Sequence, residues 1–196
     1  MRYYISAESD FGTISGEDWY NKGDKARITL DTAIVQLSPN TRYVFQGWEP
    51  LDIKDLEASF TVTKPLNLKA VWEQQHKVVA YSNYGNVSPT ETWVVEGEEV
   101  RVFVEPEYVS TGFLVGKALS HWVDQHGNVY RGNPVNIKVK EPLVLKAVWV
   151  DDYREAYGAG FALLVLVIVA VFIMRRLAEK KPSPPLPPPL PPPSPT

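Results

Sequence analysis

"KPLNLKAVW" at 64–72 and "EPLVLKAVW" at 141–149 are two versions of one phrase in a chain of 196 residues. Leu66, Leu68, Ala70 and Trp72 alternate with polar or smaller neighbours, and Leu145, Ala147 and Trp149 repeat the pattern. Side chains of an extended chain point alternately to opposite faces, so this spacing predicts a half-buried β-strand that ends on Trp. The recurrence of the strand with its Trp raises the question of what else recurs.

The answer is nearly everything before residue 150. Trp48 in "FQGW" matches Trp122 in "LSHW", and Trp19 in "DWYNKG" matches Trp93 in "TWVVEG", in both cases 74 residues on; Gly23 falls on Gly97. "DFG" at 10–12 matches "NYG" at 83–85. The six Trp residues sort into three pairs, and the chain holds two copies of one unit, at about 2–72 and 76–149.

Within each copy the dominant period is two. Ala26, Ile28 and Leu30 face one way in "KARITLDT", and Val100, Val102 and Val104 take the same places in "EVRVFVEP". Clusters such as "SDFGTISGED", "LSPNT" and "QHGN" punctuate the strands as turns. The reading is mainly β: two tandem β-repeat modules of five or six strands each, at 1–74 and 75–150. Units this small bury only about 60% of the surface of the unfolded chain. With no Cys to staple them, aromatic burial must supply their stability. Most of the Trp residues are therefore expected to be core anchors. Trp19 and Trp93, beside turns, are the expected surface aromatics, available to a protein or glycan outside the cell.

An early aromatic–Gly turn, then "FxGW", then "xLxLxAxW" resemble internalin-type B repeats, the Listeria–Bacteroides repeat family of bacterial surface proteins. Phe45, Gly47, Trp48, Leu68, Ala70 and Trp72 carry the resemblance in the first unit. The second keeps Leu145, Ala147 and Trp149 but has "LSHW" for "FxGW". The resemblance implies β-grasp-like repeats serving as stalks or binding modules, without catalytic residues.

After the repeats the composition changes twice. A linker at 151–157 leads into "GAGFALLVLVIVAVFIM" (158–174), which has no charged or polar side chain. With Ala156 and Tyr157 the run reaches about 28 Å as a helix, close to the ~30 Å of a bilayer's hydrocarbon core. It is predicted to be a transmembrane helix. Ala156/Gly160 and Gly158/Ala162 offer small-xxx-small contacts for self-association. A basic flank, 175–181, follows, so the positive-inside rule places the C-terminus in the cytoplasm and the repeats outside. "MRYYISAESDFG" shows no signal-peptide pattern, which keeps open a cytosolic, tail-anchored adaptor.

Residues 182–196 form a Pro-rich tract expected to be a disordered polyproline tail. Lys181, Pro184 and Pro187 satisfy a basic-xxPxxP pattern that would dock a cytoplasmic polyproline-binding protein. Formal charge is about −6 over 1–157 and +3 over 175–196, so the repeats carry no basic footprint for nucleic acid. No GxSxG, GxxxxGK[ST], HExxH or CxxC is present, and no enzyme activity or cofactor is expected. His121, Asp124 and His126 in "HWVDQH" are the nearest approach to metal spacing; a polar strand end running into a turn is the simpler reading. The functional expectation is a single-pass surface protein whose repeats bind or scaffold. The alternative is the stalk and anchor of a larger surface protein, such as an enzyme.

Overall fold

The computed structural model describes residues 1–112 and 114–179. Among the described residues, sixteen strands precede one helix. The first repeat is built from β1 (Arg2–Glu8), β2 (Ile14–Ser15), β3 (Asp18–Asn21), β4 (Lys25–Leu30), β5 (Ile34–Ser38), β6 (Thr41–Glu49), β7 (Glu57–Thr61) and β8 (Leu66–Tyr81). β9 (Asn86–Ser88), β10 (Glu91–Val95), β11 (Glu99–Glu105), β12 (Tyr108–Gly112), β13 (Val115–Asp124), β14 (Val129–Tyr130), β15 (Val135–Lys138) and β16 (Leu143–Asp152) follow. The helix is α1 (Arg154–Glu179). The chain is mainly β with one C-terminal apolar helix. Each repeat has more strands than the five or six expected, because turn-like stretches such as "TIS" also pair.

Topology repeats with the sequence. In the first copy the opening strand β1 lies parallel to the closing strand β8, with Ile5 opposite Leu66. β3 then pairs with β1, and β6 with the other side of β8. In the second copy β16 lies parallel to β8, with Leu143 opposite Val78, and β10 pairs with β8 in the role of β3. Small sheets, β2-β4-β7 in one copy and β9-β11-β15 in the other, supply the remaining strands. In each copy a parallel pair joins the first and last strands.

One strand therefore serves both copies. β8 is 16 residues long, about 50 Å at ~3.3 Å per residue, and the expected 74/75 boundary falls inside it. Its even-numbered positions supply the inner face throughout. Leu68 and Ala70 enter one buried cluster, with Ile5, Ile28, Leu30, Phe45 and Trp48. Val78 and Ala80 enter the other, with Val102, Val104, Trp122, Leu145 and Ala147. Continuous pairing replaces a linker, and the large sheet runs through both repeats with ten strands.

By contact the chain divides into two bodies. Met1–Val109 with Lys117–Asp151 forms the first; Ser110–Gly116 joins the described residues from Asp152 onward in the second. Within Arg154–Leu177 an 18-residue stretch has a mean hydropathy of 2.7, and the long apolar side chains of the helix, from Phe161 to Met174, are exposed around it.

Candidate functional site

The two Trp residues expected at the surface occupy equivalent strand positions with different surroundings. β1 and β3 set Tyr4 directly opposite Trp19. Ile5 points into the core, so Tyr4 and Trp19 point out, and Trp19 is 56% exposed. Their rings lie 5.5 Å apart at 52° and form an open aromatic ledge. In the second repeat Lys77 stands where Tyr4 stands, opposite Trp93. The Trp93 ring is half-buried beneath the Arg42 guanidinium, whose carbon lies 4.3 Å from the ring centroid. Lys77 Nζ, 5.8 Å from that centroid, also pairs with Glu91 at 2.7 Å. A cation over an indole face contributes about 0.5–1 kcal/mol at a partly exposed site. Trp93 is thus covered by Arg42 of the first repeat, while the ring beside the exposed Trp19 is that of Tyr4. Each is held by its own neighbours.

The junction beneath Trp93 is polar. Residues 75–76 of β8 pair with β6 on one side and β10 on the other. There His76 is 4% exposed, with Thr41 Oγ1 3.3 Å from its Nδ1 and Glu96 Oε2 3.5 Å from its Nε2. Arg42 Nε donates to Gln75 Oε1 at 2.9 Å, and the Tyr43 hydroxyl donates to Gln74 Oε1 at 2.7 Å. These bonds tie β6 of the first copy to β8 at the point where β10 of the second joins it.

A third pair of Trp sites shows a role the sequence reading missed. Trp72 Nε1 donates to Ser9 Oγ at 3.0 Å, and Trp149 Nε1 donates to Ser82 Oγ at 2.8 Å. Each serine hydroxyl donates in turn to the carbonyl two residues on, that of Phe11 or Tyr84, at 2.6 Å. Those rings meet the indoles edge-on, at 82° and 68°. Gly12 and Gly85 close the turns with φ of +76° and +68°, and a Cβ on Gly12 would lie 2.7 Å from Asp31 Oδ1. The signal was present as "SDFG" and "SNYG", but the serine carried no periodicity to mark it. The fully buried indoles are Trp48 and Trp122, whose Nε1 groups have no hydrogen-bond partner among the described residues; Trp72 and Trp149 are half-buried, not enclosed.

"HWVDQHGN" forms a closed turn. Asp124 accepts hydrogen bonds from the His126 and Asn128 amides at 2.8 and 2.9 Å. It also accepts from Asn128 Nδ2 at 2.8 Å and the Tyr130 hydroxyl at 2.9 Å. Burial pushes its carboxyl up, but these bonds together outweigh burial and hold it at about 2. His121 contacts Ser120, and His126 pairs with Glu141 at 3.2 Å, so the three side chains serve separate neighbours. Among the described residues no cluster of three or more His, Cys, Asp or Glu is gathered as a metal site. In the first repeat Gly47, at φ +149°, stands at the place of His121, which lies within β13 and has no positive φ.

An open groove of about 570 Å³ follows the Gly47 bulge, lined by Gln46, Glu49, Asp52 and Lys54 among others; no His, Ser, Thr or Cys lines it. Lys181, Pro184 and Pro187 lie outside the described residues.

No protein-family model matches the chain, and no curated protein matches it in sequence. A solved structure of Streptococcal High Identity Repeats in Tandem (SHIRT) domains 3-4 from a cell surface protein aligns with 76% of this chain and 99% of its own. Identity is 9% and the TM-score 0.22, too low for the likeness to bear on fold or function.

Proposed function

We propose that this chain is a single-pass membrane protein that presents two rigidly coupled β repeats at the cell surface as a binding or scaffolding module. The observation that carries the reading is α1, apolar around its circumference over 158–174. A helix that is apolar all round needs either a surrounding core or lipid, and its side chains are uncovered. Tyr153 and Tyr157, both exposed, stand where an interfacial belt would lie, and Arg175 and Arg176 close the other end.

Outside the membrane, the Tyr4–Trp19 ledge is the surface suited to a protein or glycan ligand, since large aromatics give contact area at low entropic cost. Trp93 belongs to the repeat junction and is the weaker contact. Inside, the polyproline tail would dock a partner through Lys181, Pro184 and Pro187. Gly158 and Gly160, with open space around their Cα atoms, leave room for a second helix. The shared strand favours a second reading as well, the membrane-proximal stalk of a larger surface protein, because a stalk needs stiffness between units.

Membrane fractionation tests the anchor. The full chain should stay with membranes through alkaline carbonate, and a variant with Leu164, Val167 and Val171 all replaced by Lys should leave them. Full release of the wild-type chain by carbonate would refute the reading.

A further inference from the structure

The two repeats place the same hairpin, β5–β6 in the first and β12–β13 in the second, against whatever follows each of them. In the first repeat the hairpin tip faces the second repeat: the Asn40 carbonyl accepts from the Lys77 amide at 2.9 Å, Thr41 meets His76, and Arg42 covers Trp93. The tip is polar, as a contact with a polar junction requires. In the second repeat the equivalent tip belongs to the same body as the start of α1, and Ser110 Oγ donates to Glu155 Oε2 at 3.5 Å. At this tip Leu114 stands where Asn40 does, and Val115 where Thr41 does.

That exchange runs against local turn chemistry. Leu114 has φ +65°, a left-handed conformation that Gly and Asn adopt readily and Leu does not. The first repeat turns at this point without a left-handed residue, so the second carries on Leu114 a strain that Asn40 does not. Leu114 and Val115 are only half-buried. Strain of this kind persists where it serves a contact.

We infer that the Leu114–Val115 tip is a lipid-contacting wedge, which enters the headgroup–acyl boundary beside α1. The inference rests on the reading of α1 as a membrane anchor. Tyr153 and Tyr157 at the start of the helix mark the same interfacial depth. The wedge takes acyl chains and glycerol backbones without regard to headgroup, since the exchange adds no charge.

The chain lacks Cys, so single cysteines at Leu114, Asn40 and Val169 can carry an environment-sensitive fluorophore in the full-length protein. The protein would be reconstituted in phosphatidylcholine vesicles with spin labels placed near the glycerol backbone or deep in the acyl chains. Leu114→Cys should be quenched roughly twofold or more by the shallow label, as expected for ~5–10 Å of interfacial immersion. Val169→Cys should respond to the deep label and Asn40→Cys to neither. Val115→Cys gives a second position should labelling at Leu114 disturb the turn, and it should follow Leu114→Cys. Deep quenching at Val169→Cys with Leu114→Cys and Val115→Cys silent would overturn the wedge and leave the anchor standing. A blue-shifted but unquenched Leu114→Cys would mean that protein covers the tip, which also overturns it. No quenching at Val169→Cys would overturn the anchor and the wedge together.

Discussion

Ser9 and Ser82 show how a single hydroxyl can organise a repeat. Each receives an indole N–H and passes a hydrogen bond to a turn carbonyl, tying the closing strand to the turn after the opening one. Ser9→Ala and Ser82→Ala should each cost about 1 kcal/mol in urea melts, the ordinary net value of a hydrogen bond. Trp48→Ala and Trp122→Ala should cost more, about 3–5 kcal/mol, because those indoles are fully enclosed. Trp72→Ala and Trp149→Ala, half-exposed, should fall below them; the reverse order would mean the anchors are misassigned. At Asp124 the folded carboxyl sits near 2 against an ordinary 3.8. Its contribution is present above pH ~4 and is lost as pH falls from 3.8 toward 2. Asp124→Asn should therefore lower stability at neutral pH and flatten the acid limb of the stability profile over that window. An unchanged acid limb would assign the turn no part in it.

At the scale of elements the decisive feature is β8. Its alternation was plain in "LNLKAVW", and the recurrence of that phrase showed that strands repeat. That the same strand continues through "EQQHKVVAY" was not legible, because Gln74, Gln75 and Lys77 look like a linker in one dimension. They become strand residues only because β6 and β10 arrive from distant sequence to pair with them. The short strands β2, β9 and β14 were hidden for the same reason. Local pattern marked the long half-buried strands and the unburied helix, where periodicity is set by the strand's or helix's own faces; pairing partners and the serine latches depend on tertiary contacts. Trp19 and Trp93 looked alike in sequence, and the packing of Tyr4 on one and of Arg42 and Lys77 on the other separates them. Gln75→Pro, placed where β8 is paired on both sides, should loosen both repeats, since Pro removes a ladder donor from a central strand. Native-state hydrogen exchange would show faster exchange at Ile28 and at Val102 alike. Loosening confined to one core would contradict a strand that couples the two.

At the scale of the whole molecule the account joins an acidic, aromatic-rich β array to a hydrophobic helix with a basic exit. The proposed direction rests on the basic exit: Arg175 and Arg176 lie directly beyond the apolar run, the end that the positive-inside rule would place in the cytoplasm. Self-association, ligand contact at the Tyr4–Trp19 ledge and docking of the tail all presuppose that direction, so it is the central claim. Ser88 is exposed in the second repeat and Ser194 lies in the tail, and the absence of Cys lets each carry a single reporter. The measurement is labelling of Ser88→Cys and Ser194→Cys in intact cells with a membrane-impermeant maleimide. The account predicts that Ser88→Cys is labelled at once and Ser194→Cys only after the membrane is permeabilised; labelling of Ser194→Cys alone, or protection of both until permeabilisation, would contradict it.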